Sequence, residues 1–216
     1  MSDDRNLQEA VLEELRWEPR LEAAHIGVIV HDEVVTLTGH VETYAEKHAA
    51  EVAAHRVRNV HAVANDLEVS LPADDQRTDE DIATAALERL AWDVTIPEDS
   101  IHLTVEDGWI TLGGQVDWNY QRENAVQALQ RLYGVTGISN QISIKKHVEP
   151  GHISDEIMHA LHRSWFFDPK TIDVRVEEGT VFLTGTVHTP HDRQVAAATA
   201  WAAPGVTDVR NDIVIV

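Results

Sequence analysis

Two histidine pairs have the spacing of metal ligands. His159 and His162 stand three apart on a stretch with helical periodicity, and His188 and His191 flank the expected start of another helix. Either spacing brings two imidazoles within reach of one metal ion. No third ligand stands nearby in the sequence, and neither pair recurs elsewhere in the chain. Solvated surface histidines, with no bound metal, are the expectation. The sequence holds no nucleophile elbow, no phosphate-cradling glycine loop and no His-Glu-x-x-His helix. The acidic runs Asp74-Asp75 and Asp79-Glu80-Asp81 fall in a linker and at a helix N-terminus, where the helix dipole favours negative charge. These features predict neither enzyme activity nor a cofactor.

Aromatic residues carry a stronger signal. Trp109 has the opposite strand parity to Ile110 and Leu112, and Phe182 the opposite parity to Val181 and Leu183, so both rings should face away from the core. Trp118 and Tyr120 stand where a helix begins. Either neighbouring parts of the chain cover these rings, or they form a surface for lipid or a protein partner. Tryptophan and tyrosine suit a membrane interface because one edge of the ring is wet and the other apolar.

These residues sit on a unit that is repeated three times. Ile101, Leu103 and Val105 alternate up to Asp107-Gly108, and alternation resumes at Ile110 and Leu112 and stops at Gly113-Gly114. This is the pattern of a β-hairpin with a tight primed turn. Ile26, Val28, Val30, Val35, Leu37 and Gly39 repeat it, as do Ile172, Val174, Val176, Val181, Leu183 and Gly185. The first copy lacks glycine at its turn, so a looser turn is expected near His31-Asp32-Glu33. Before each hairpin lies a helical stripe: Leu7, Ala10, Val11 and Leu15; Ile82, Ala85, Ala86 and Leu90; Ile157, Ala160, Leu161 and Trp165. Trp17-Glu18-Pro19, Trp92-Asp93 and Phe167-Asp168-Pro169 end these helices. An alanine-rich helix comes after each hairpin, closed by Asn59, Gly134 or Gly205. A third strand then carries Asn65, Asn140 or Asn211, whose side chains are expected to hydrogen-bond the backbone. Gly39, Gly114 and Gly185 mark the end of the second strand, where a side chain would clash. The chain is therefore read as α+β, with three tandem αββαβ units over residues 4–70, 79–146 and 153–216. Short linkers around 72–77 and 147–151 should keep the units in contact or nearly so.

The succession of an amphipathic helix, I-x-V-x-V-x-x-G-x-V-x-L-x-G, an alanine-rich helix and G-V-x-x-V-x-N-x-I resembles the BON domain family of OsmY-like proteins. Ile172 to Gly185 and Gly205 to Ile213 carry it most clearly, and all three units share it. The resemblance implies two helices on a three-stranded mixed sheet in each unit. It also implies a non-enzymatic role in phospholipid or membrane-surface binding under osmotic or envelope stress. Potassium binding is the alternative it suggests.

Composition narrows the partners. The chain has 17 Lys and Arg against 37 Asp and Glu, a net charge of −20. That opposes nucleic acid and opposes purely electrostatic attraction to anionic lipid. No cysteine is present, so neither disulfides nor thiolate chemistry enter. Without an apolar leader or a membrane span in the sequence, the cytoplasm is the expected compartment. The expected partners are a phospholipid or membrane surface or a protein. An ion-responsive protein binding a monovalent cation, or a chaperone-like one, is the alternative.

Overall fold

The computed structural model describes residues 2–71, 77–145, 153–163 and 171–216. In the first repeat, α1 (Ser2–Trp17) leads through a short 3₁₀ turn (Ala23–His25) to β1 (Ile26–His31) and β2 (Val34–Val41). Then come α2 (Tyr44–Arg56) and β3 (Ala62–Val69). β2 is the central strand, antiparallel to β1 and parallel to β3. The parallel pair requires a crossover, which α2 supplies. Leu7, Val11 and Leu15 of α1 and Ala50, Ala53 and Ala54 of α2 close over Val28, Val35, Leu37 and Leu67. The alanines let α2 lie close to the sheet.

The middle repeat has α3 (Asp79–Trp92), β4 (Ile101–Glu106), β5 (Trp109–Val116), α4 (Asn119–Leu129), β6 (Gly137–Asn140) and β7 (Ser143–Ile144). Its last strand is in two pieces, both beside β5. The ladder bridges the gap, since the Gln141 amide donates to the Leu112 carbonyl at 2.8 Å. The third repeat has α5 (Ile153–Arg163), β8 (Ile172–Glu177), β9 (Thr180–Val187), α6 (Pro190–Trp201) and β10 (Asp208–Ile215). Its strand order and its pairing directions match those of the first repeat. The expected α+β fold, two helices on a mixed sheet in three copies, is the observed one.

The chain divides into two compact units. One holds Met1–Asp93, Leu103–Thr111 and Val126–Ser139, and the other Val94–His102, Leu112–Ala125 and Asn140–Val216. Each outer repeat has its own apolar core within one unit.

The turn of the first hairpin differs from expectation. His31 pairs with Val34, so the turn has two residues, and Asp32 and Glu33 both take positive φ, at 48° and 65°. Asp107-Gly108 and Glu178-Gly179 do the same. The first turn is as tight as its glycine-bearing counterparts, because the strand register leaves only two residues to close it. The asparagines sit fourth in their strands. Asn65 donates from Nδ2 to the Lys47 carbonyl and Asn211 to the Arg193 carbonyl, and both accept an amide two residues on. They pin the third strand to the second helix. Gly39 and Gly185 lie inside their strands, two residues from the end, with φ of 113° and 125°. A Cβ at either would drive into the carbonyl oxygen of His25 or Thr171.

Trp165, Phe167-Asp168-Pro169, Asp74-Asp75 and the linker residues 72–76 and 147–151 lie outside the described residues. Among the described residues, no helix is long and apolar enough to cross a membrane.

Candidate functional site

Trp109 is 48% exposed, and its ring lies against the backbone of Gly137. Tyr120 is 50% exposed in the first turn of α4. Trp118 is half-buried just before α4, and the Gln121 Oε1 accepts its amide and that of Asp117, both at 3.1 Å. Phe182 is half-buried under the Arg210 guanidinium, 5.7 Å from the ring centre. Trp109 and Tyr120 thus face water with much of their surface, while Trp118 and Phe182 are largely engaged.

The most exposed tryptophans stand out in the sequence only as helix ends. Trp17 is 83% exposed and Trp92 85%. They occupy equivalent places, the last residue of α1 and of α3. The residues just after Trp17 hold it out. Glu18 is 5% exposed, and its amide continues the helix by donating to the Glu14 carbonyl at 3.2 Å. Its carboxylate accepts from Arg20 at 2.7 Å and from Arg56 of α2 at 2.9 Å. These two cations, Arg20 foremost, outweigh burial and hold its pKa at about 2. With residue 18 turned inward and Pro19 barring a further turn, the ring of Trp17 is left in solvent. Asp93 caps α3 in extended geometry, and Trp92 ends the same way.

Other aromatics serve packing inside one compact unit. Burial pushes the Tyr44 hydroxyl pKa up, and the Ile138 backbone hydrogen-bonds to it. Arg122 lies 5.1 Å over the Trp201 ring. The first of these contacts lies in one compact unit and the second in the other.

His159, His188 and His191 are exposed, and the His162 side chain lies outside the described residues. Among the described residues, no three metal-ligating side chains come together. Of the acidic run at α3, Asp81 forms a capping box with Thr78, which lowers its pKa. The Asp79 carboxylate accepts the turn amides of Asp107 at 3.0 Å and Gly108 at 2.9 Å. Asp79 therefore clasps the hairpin as well as meeting the helix dipole.

Residues 3–70, 78–146 and 151–216 each match the BON domain. The osmotically-inducible protein Y of Escherichia coli (strain K12) is 28% identical over 126 residues, which cover 55% of this chain and 63% of that protein. The chain thus spans less than two thirds of that relative's length. A solved structure of CdsD, a structural protein of the Type III secretion system of Chlamydia trachomatis, aligns with 98% of this chain and 92% of its own at 14% identity and a TM-score of 0.29. The C-terminal domain of CdsD aligns at 15% identity and a TM-score of 0.26, over 98% of each chain. Scores this low carry no argument about architecture or role.

Proposed function

The chain belongs to the BON domain family, and on that premise we propose that it is a non-enzymatic protein that associates peripherally with phospholipid surfaces or envelope components. The osmotic induction in the name of its Escherichia coli relative extends the proposal to osmotic or general stress. The observation that carries it is the exposure of Trp17 and Trp92 at the same position of two repeats. Tryptophan left this open to water is costly, because each ring offers roughly 150–250 Å² of surface. At about 25 cal/mol per Å², inserting part of it into a lipid interface gives an appreciable gain. Trp109 and Tyr120 add further partly exposed ring surface. Several weak contacts on one chain raise avidity without a strong single site.

The net charge of −20 sets the conditions. It repels anionic lipid, so insertion should dominate on zwitterionic vesicles. Lowering the pH makes the chain less negative, so its repulsion from anionic vesicles should weaken as the pH falls. Flotation with phosphatidylcholine vesicles, with and without anionic lipid, from neutral pH to about pH 5 tests this. The expected result is co-flotation that falls about tenfold or more in the doubly substituted Trp17→Ala, Trp92→Ala protein. A chain that fails to float with every vesicle, even at the acid end, would sink the proposal.

A further inference from the structure

Between α5 and α6 of the third repeat lies an open cleft of about 900 Å³. That is within the size range of small-molecule sites, roughly 300–1,000 Å³. Its floor is apolar and made of short side chains, chiefly Ile157, Ala160, Ala198 and Ala202. Three polar residues of α5 border it: Glu156, His159 and Arg163.

The first repeat shows why the cleft is open. Thr43 caps α2 and Thr189 caps α6, which puts the two helices in register. In that register Ala198 stands where α2 has Val52, and Ala202 where it has Arg56. Arg56 reaches across to the first helix, bonding Glu14 and Glu18, each at 2.9 Å. A methyl group at Ala202 cannot span that distance, and among the described residues no side chain takes the place of Arg56 there.

The charges give the cleft a polarity. Arg163 is exposed and forms no ion pair or hydrogen bond among the described residues. Glu156 lies two helical turns away, about 10 Å along α5 at 1.5 Å per residue. One end of the α5 border is therefore basic and the other acidic, with His159 between them and the alanine floor alongside.

We propose that this cleft binds a single-chain anionic amphiphile of the fatty-acid class. The carboxylate pairs with Arg163, and the acyl chain lies along the alanine-floored trough. A second copy of this chain is a poor occupant, since it would bring a further net charge of −20. The proposal does not depend on the surface reading, because it concerns one bound molecule and residues remote in sequence from Trp17 and Trp92.

Titration of the full chain with dodecanoate below its micelle concentration, followed by calorimetry and by amide chemical shifts, tests it. The expected result is one-to-one binding with shifts centred on α5 and α6. Ala198→Trp and Ala202→Trp, both at exposed positions, should each weaken binding about tenfold or more while leaving the melting curve in place. Arg163→Gln should weaken it about tenfold, and Glu156→Gln should strengthen it. Trp17→Ala with Trp92→Ala should leave dodecanoate binding unchanged, which separates this result from that of flotation. Absent binding, equal binding of dodecyltrimethylammonium, or full binding by both tryptophan-filled variants would each overturn it. So would a wild-type dimer that Ala202→Trp dissociates.

Discussion

The first and third repeats share strand order, register, helix caps and the glycine inside the second strand, yet they treat the ground between their two helices differently. In the first, a long cation bridges it and buries a carboxylate beneath the helix end. In the third, alanines leave it open. The frame is set by apolar alternation, tight turns and backbone clashes, and these tolerate little change. The surface between the helices is set by a few side chains whose length the frame does not constrain. Difference of function between copies is therefore to be sought there.

Substitutions can break or sharpen this contrast. The largest effect should come from the shared frame. Gly39→Ala and Gly185→Ala should each destabilise their own repeat by about 3–5 kcal/mol, through strained φ and backbone overlap, read by denaturant melts. Unequal effects would show that the frames are not equivalent. Next, Ala202→Met should give the third repeat a side chain of nearly the reach of Arg56 without its charge and reduce dodecanoate binding severalfold. Arg56→Ala should open ground in the first repeat and lower its melting temperature by several degrees, since buried Glu18 loses a partner.

The pH dependence is more modest. The pKa of Glu18 is depressed from its ordinary 4.5 to about 2. Its ionised form therefore stabilises the fold in full above about pH 4.5, and that contribution is lost as the pH falls toward 2. In Glu18→Gln this part of the acid-unfolding profile should vanish. The smallest expected effect is Glu33→Gly. A non-glycine residue in the left-handed region costs roughly 1–2 kcal/mol, and glycine returns part of that through its freer unfolded chain. A net gain of about 0.5–1 kcal/mol is expected in a thermal melt.

The repeat and its fold were legible because each element leaves a periodic trace. Val35 and Leu37 announce a strand, Ala50, Ala53 and Ala54 a helix face, and Asn59 its end. The tightness of the first turn was not legible from residue type, since Asp32 and Glu33 lack glycine and only the register of the flanking strands forces them into positive φ. The exposed tryptophans were visible as a repeated Trp17 and Trp92, but the exposure of Trp17 depends on Glu18 turning inward, which needs Arg56 from a helix 38 positions away. The cleft left no trace of its own. Ala198 and Ala202 read as ordinary helix formers, and an opening made by short side chains shows only when its two walls are in place.

Gly39, Gly114 and Gly185 meet the same obstacle, the carbonyl of the residue just before the first strand of their repeat. A molecule assembled from like parts thus carries its point of greatest fragility three times over. Each of those codons is closed to every replacement that adds a carbon, whatever ligand its repeat binds. Sequence drift among the copies is channelled onto the helix-to-helix faces, where new specificity can be tried without risk to the scaffold.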